Sequence, residues 1–168
     1  GDLVCDELEV LGCTDPEALN YNPDATDDDD SCEYSSTASY TIDLHYGANL
    51  VSFWAIPEDN SVANLMASLG TNVSGVIGEG VAASQIAPGT WVGSLSSISP
   101  TSGYWVKVDN SGVIELTEAT PTDPSTVYDL HSGANLISFP YEGSISITAG
   151  LPDDVEGEFT GVIGEGVA

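Results

Sequence analysis

The chain has almost no cations. One lysine, Lys107, and no arginine stand against 27 acidic residues in 168, a formal net charge of −26. Binding to nucleic acid relies on Lys and Arg neutralising phosphates, and attraction to anionic membrane surfaces needs the same side chains. Both classes of partner are therefore excluded. Long apolar runs are missing as well: no stretch reaches 18 apolar residues, so no membrane insertion is expected. No signal peptide is visible, and Gly1 reads as a cut end. Cysteine is scarce, with three residues at positions 5, 13 and 32. The odd count leaves one thiol without a partner in the chain, and Cys5 is the odd one out. An acidic surface with a single site for trypsin-like proteases suits salty water, where repulsion is screened within ~10 Å or less. It points to an extracellular setting.

What the chain does have is a duplication. GVIGEGVA occupies positions 75–82 and again 161–168, and the motif DLH-GANL-SF occupies 43–53 and 129–139, both at an offset of 86 residues. Two motifs with one offset and no gap identify an internal repeat, which governs the reading of everything else. The second copy is partial: the half carrying TWVGSL and GYWVKV in the first copy has no counterpart before Ala168. Alone it would leave Leu136, Phe139, Val162 and Ile163 without partners, so either the chain continues or another molecule donates the missing strands.

Five regions follow from composition. Residues 1–34 are an acidic, Cys-containing module with scattered apolar residues, too few to hold it together without a staple. Residues 35–39 read as a linker, 40–116 as a β-rich repeat, 117–126 as a Pro/Thr-rich linker, and 127–168 as part of a second β-rich repeat. Within the first repeat, Tyr40, Ile42 and Leu44 alternate with polar residues as in a strand. Strands are also expected at 49–55, 73–77, 91–95, 104–108 and 113–116, with a turn over 83–89. Val62, Leu65, Met66 and Leu69 fall on one helical stripe, with Asn60 or Ser61 as N-cap and Gly70 at the end. In the second copy Gly150 and Pro152 fall inside the matching stripe, so that helix should be shorter or absent. The fold class is mainly β: a small disulfide-stapled calcium-binding module, then tandem β-sandwich-like repeats with a short helix.

The candidate metal centre lies in residues 12–34, GCTDPEALNYNPDATDDDDSCEY. Asp27, Asp28, Asp29 and Asp30 are four successive carboxylates, which repel one another unless a cation sits among them. Ca²⁺ takes six to eight oxygen ligands, and Asn20, Asn22, Asp24, Asp27, Asp28, Asp29, Asp30 and Glu33 offer side-chain oxygens. Reading Asn22 as the first position of an EF-hand loop puts Glu33 at the twelfth, but the central Gly of such a loop is missing. The plainer alternative is a solvated acidic turn. Cys13 and Cys32 bracket the cluster and are expected to form a disulfide, worth roughly 3 kcal/mol by loop closure. A zinc site fails for want of a CxxC pair or clustered histidines.

The pattern GCTDP-A-NYNP-AT-DD-SCEY resembles a short acidic repeat of secreted and surface proteins of marine bacteria and of structural proteins of marine phages. Those repeats usually end DDGSC, and Asp30 stands here in place of that Gly. The resemblance covers about 23 residues. It implies a calcium-binding spacer similar to thrombospondin type 3 repeats. The GANLVSF…GYWVKV pattern is similar, more loosely, to β-rich modules of the same large extracellular proteins. Neither family implies an enzyme.

Other candidates carry less. GVIGEGVA lacks the GK[ST] ending of a phosphate loop, and Glu79 stands where a phosphate needs positive charge; the motif and GANL read as structural. His45 and His131 share one repeat position and are expected to face solvent, with no Cys or Ser partner for catalysis. Trp91, Tyr104 and Trp105 offer either a sugar platform or a packed core. Lys107 is expected to form a salt bridge. The reading is a non-enzymatic structural segment of an extracellular modular protein, such as a surface filament, stalk, adhesin or virion fibre, stabilised by calcium and a disulfide. Its partners would be neighbouring repeats of the same protein. The alternative is a carbohydrate-binding module of a secreted multidomain hydrolase, with glycans as ligands.

Overall fold

The computed structural model describes residues 10–16, 18–33, 37–151 and 155–165. Cys5, the break at Pro152 and the last three residues of the second GVIGEGVA lie outside them. The chain divides into two compact units, residues 1–36 and 37–168.

In the first unit the backbone is held by turns and one short parallel bridge, Leu11 to Asp27. Gly12 N–H donates to the Asp27 carbonyl at 3.2 Å, and Thr26 N–H donates to the Val10 carbonyl at 2.9 Å. The buried apolar residues described here are Cys13 and Ala18, while Val10, Leu11, Leu19 and Tyr21 are exposed. Cys13 and Cys32 are joined by a disulfide.

The second unit is mainly β, with two antiparallel sheets. β1 (Ala38–Leu44), β8 (Gly112–Pro121) and β3 (Ala55–Ile56) form a three-stranded sheet in the order β1-β8-β3. β2 (Gly47–Val51), β7 (Tyr104–Val108), β4 (Val73–Gly78), β5 (Val81–Ala87) and β6 (Thr90–Gly93) form a five-stranded sheet in the order β2-β7-β4-β5-β6. Inward residues alternate along the strands, as the two-residue period of a strand requires. Leu44, Ile114 and Leu116 from one sheet meet Val51, Val76, Tyr104, Val106 and Val108 from the other in a single core, with Phe53 fully buried among them. Each such aliphatic or aromatic side chain contributes roughly 1.5–3 kcal/mol by leaving water.

Three elements differ from the sequence reading. The 83–89 segment is not a turn: residues up to Ala87 belong to β5, a central strand paired with β4 and β6. Its Ala, Ser and Gln residues are poor strand formers, but pairing on both sides overrides propensity, and the turn itself is Pro88-Gly89. The 117–126 segment is not all linker either. β8 continues to Pro121, bends at a bulge between its pairings with Ala38 and Tyr40, where Glu118 has φ 53°, and then pairs with β3. The linker at 35–39 gives Ala38 and Ser39 to β1.

The helical stripe forms one α turn, α1 (Val62–Leu65), followed by a 3-10 segment Ala67–Asn72 kinked at Gly70. The Ser61 hydroxyl caps α1 by accepting from Asn64 N–H at 3.2 Å. The second copy keeps an equally short helix, α2 (Ile147–Gly150), capped by Ser146. It is therefore not absent, but it stops at an extended Leu151, whereas in the first copy helical backbone continues from α1 into the 3-10 segment, so the helical stretch is shorter as expected. Elsewhere the second copy forms no strand among the described residues. The GVI segment that is β4 in the first copy pairs there with β5 and β7. The second copy instead lies against the first. Gly103 N–H donates to the Leu136 carbonyl at 2.9 Å, and Ser138 N–H donates to the Thr101 carbonyl at 3.2 Å. Val162 and Ile163 are exposed, while Leu136 and Phe139 are half-buried.

Candidate functional site

The acidic loop is built from side chains that fold back on their own backbone. Asn20 Oδ1 accepts from Glu33 N–H at 2.8 Å, and its amide donates to the Ser31 carbonyl at 2.6 Å, tying the two ends of the loop together. Asn22 Oδ1 accepts from Asp24 N–H at 3.1 Å, Asp28 Oδ1 from Asp30 N–H at 2.9 Å, and Asp29 Oδ1 from Ser31 N–H at 3.1 Å. These are side-chain turns of the kind Asn and Asp favour. Hydrogen bonds from Ser31 hold the Asp29 carboxyl below the usual carboxylate range. The remaining oxygen of Asp28 accepts from the Thr14 hydroxyl at 3.0 Å. Asp30 has φ 60°, so the left-handed turn survives without glycine; Asp is among the few residues that enter this region readily.

The carboxylates of Asp24, Asp27 and Asp30 make no hydrogen bond to another described residue. No group of three His, Cys, Asp or Glu side chains converges among the described residues. Four of the eight expected ligands, Asn20, Asn22, Asp28 and Asp29, have an oxygen committed to a backbone amide.

A second constellation joins the two copies of the repeat. Glu79 and Gly80 are the two-residue tip of the β4–β5 hairpin, whose last pair is Gly78 with Val81. Gly80, at φ 70°, allows this tight tip. One Glu79 carboxylate oxygen contacts His131 Nε2, and the other accepts from Leu136 N–H at 2.9 Å. In the second copy Glu165 repeats the arrangement on the first: one oxygen contacts His45 Nε2, and the other accepts from Leu50 N–H at 2.6 Å. Each glutamate thus reaches the histidine loop of the other copy.

Both histidine loops have the same internal frame. His45 N–H donates to Asn49 Oδ1 at 2.8 Å, and Asn49 Nδ2 donates to the His45 carbonyl at 2.9 Å. His131 and Asn135 repeat both bonds, each at 2.9 Å. Gly47 and Gly133 share a positive φ, 102° and 108°. The other ring nitrogen, Nδ1, faces the Tyr46 carbonyl at 2.8 Å in the first copy and the Ser132 carbonyl at 2.9 Å in the second. Each imidazole therefore sits between two oxygen acceptors, which suits the doubly protonated form. The carbonyl contact first, and the carboxylate contact second, raise both histidines above their ordinary range. The Leu amide first, and the histidine second, lower both glutamates.

The sequence places His45 and His131 facing solvent, without a Cys or Ser partner. They are exposed but engaged, and the glutamate of the glycine-rich motif was not seen as their partner. The available signal is that a glutamate recurs in both copies of GVIGEGVA while the only two histidines recur at both loops.

The three candidate aromatics do not make one platform. Tyr104 is buried, and its hydroxyl accepts from Ser99 N–H at 2.8 Å. Trp91 packs against the core, with its indole N–H buried and unpaired among the described residues. Trp105 lies on the opposite face of β7 from Tyr104. The ion pairs among the described residues are the two His–Glu contacts, so Lys107 does not form the expected salt bridge there. No described helix is long and apolar enough to cross a membrane. Comparison of the chain with protein-family models, curated proteins and solved structures finds no match.

Proposed function

We propose that the chain is a structural segment of an extracellular modular protein, such as a surface filament, stalk, adhesin or virion fibre. The observation that carries this reading is the Cys13–Cys32 bond, which closes a loop with almost no apolar core. A segment of that kind depends on a staple, and structural disulfides persist in oxidising compartments. The charge of −26 fits the same setting. The shared polar residues of the repeat support it too, because they join one copy to the other.

Calcium belongs to the proposal as a second stabiliser of the acidic module. That part rests on the carboxylate density of residues 24–33, and not on a preformed cage. Its ligands would come first from Asp24, Asp27, Asp30 and Glu33. The carbohydrate-binding alternative has less support, because Trp91, Tyr104 and Trp105 do not share a face.

Two measurements test the reading. Calorimetry of the whole chain in chelator-treated buffer should show heat on adding Ca²⁺; none at millimolar concentration removes calcium from the proposal. Peptide mapping of protein recovered from its natural source, without reductant, should return Cys13 linked to Cys32. Recovery of both as free thiols would overturn the extracellular reading.

A further inference from the structure

The contacts between copies are reciprocal. Glu79 holds His131 and Leu136, while Glu165 holds His45 and Leu50. Every one of these residues has its counterpart 86 positions away, so the same patch is used on both sides. That is the signature of an isologous, two-fold contact, in which residue i meets j and j meets i. A head-to-tail array would look different. There, the glutamate of each repeat would reach the loop of the next, and His45 of the first repeat would have no carboxylate. Here Glu165 turns back to His45.

We propose that the glutamate-bearing tip and the His-x₃-Asn loop form a homotypic docking surface, whose partner is a second repeat of the same kind, and that such repeats close into two-fold pairs instead of stacking head to tail. Each repeat carries both halves of the lock. The tip supplies a carboxylate. The loop supplies an imidazole and, five residues on, a backbone N–H, spaced to take its two oxygens. Asn49 and Asn135 fix the loops in the receiving shape. The residues making the contact are identical in the two copies, whereas Tyr46 and Val51 become Ser132 and Ile137.

The choice of histidine has a physical reason. In a chain with one lysine and no arginine, a carboxylate that needs a cationic partner has little else to meet. Contact with two acceptors makes the imidazolium the docking form, so the surface is strongest where histidine is charged. The carboxylate facing His45 is Glu165. His131 faces Glu79, with Asp129 and Tyr128 lining the same cleft. Assembly into anything longer than a pair must then use a different surface. This inference concerns the repeats alone and stands whether or not the acidic module binds calcium.

The test is a crossed titration on the whole chain. The two imidazoles are followed by NMR in the parent, Glu79→Gln and Glu165→Gln. Glu79→Gln should lower the midpoint of His131 by about half a unit or more and leave His45 in place. Glu165→Gln should do the reverse. Amide exchange provides a second readout: Leu136 should exchange faster in Glu79→Gln, and Leu50 in Glu165→Gln. If Glu79→Gln moves His45 instead, if both histidines move together, or if neither moves, the proposal fails. Midpoints that depend on protein concentration would put the contact between chains and overturn the closed pair within one chain.

Discussion

Asn49 carries its own loop. Its side chain accepts from the His45 amide and donates to the His45 carbonyl, so one buried residue satisfies both backbone groups of another four positions earlier. It also donates to the Gly47 carbonyl at 3.3 Å. Asn49→Ala leaves these groups without partners, and buried unsatisfied groups cost about 1–3 kcal/mol each. The expected loss is about 2–4 kcal/mol in denaturant unfolding. Asn135 makes the same bonds but is only half-buried. Water can replace part of them, so Asn135→Ala is expected to lose about 1 kcal/mol.

The His–Glu contacts give stability a pH window. The histidines are raised above 6.5, so their contribution is full below that value and is lost as pH rises through the folded pKa. The glutamates are lowered below 4.5, so theirs is full above that value and is lost as pH falls through the folded pKa. Both partners are charged between the two ordinary values. The Tm advantage of the parent over the Glu79→Gln, Glu165→Gln double variant should peak at about pH 5.5 and shrink on either side. Once pH has risen through the folded pKa of the histidines it should vanish or reverse, since the variant sheds two negative charges from a strongly self-repelling chain. Thermal melts from pH 3 to 8 at fixed salt measure this.

Much of the fold was legible because strand alternation is a local signal. Tyr40, Ile42 and Leu44 announce β1, and Tyr104, Val106 and Val108 announce the inward face of β7. β5 was hidden because Ala82, Ala83, Ser84 and Gln85 have no strand preference of their own; only their neighbours make them a strand. The extension of β8 through Thr117–Pro121 was hidden for the same reason, behind a composition that reads as linker. The Cys13–Cys32 link followed from its place either side of the acidic run. The partnership of Glu79 with His131 could not follow from spacing, because it joins a hairpin tip to a loop 52 residues away. The duplication made both ends visible without showing that they meet.

Reduction should act on the first unit alone. The bond spans 19 residues of sequence, and losing it should cost about 3 kcal/mol in the chain-entropy model. Trp54, Trp91 and Trp105 all lie in residues 37–168. Reductant, or Cys13→Ser with Cys32→Ser, should therefore open residues 10–33 to proteolysis and fast amide exchange while tryptophan fluorescence stays unchanged. A reduced chain whose fluorescence moves with its N-terminal exchange would show that the two units unfold together.

Gly93 is where the edge of the larger sheet is most exposed to a single methyl group. It pairs with Ala83 at the end of β6 and has φ 140°, a region that residues with a Cβ rarely enter. A Cβ placed there would stand 2.1 Å from the Ala82 carbonyl oxygen and 2.9 Å from Ala83 Cα. Both obstacles are backbone in a central strand, so β6 would have to move. The next residues depend on that approach: the Ser94 hydroxyl accepts from Ala82 N–H at 3.2 Å, and Leu95 N–H donates to the Ala82 carbonyl at 3.0 Å. Leu95 and Ile98 then enter the core. Gly93→Ala should lose those bonds and loosen that packing, with a destabilisation of about 3 kcal/mol or more. Gly89, at φ 69° in the preceding turn, has open space around it. Gly89→Ala should lose only the backbone strain of about 1 kcal/mol. Denaturant unfolding of the two variants side by side separates the crowded glycine from the merely bent one, and equal losses would show that close approach of β6 to β5 does not matter.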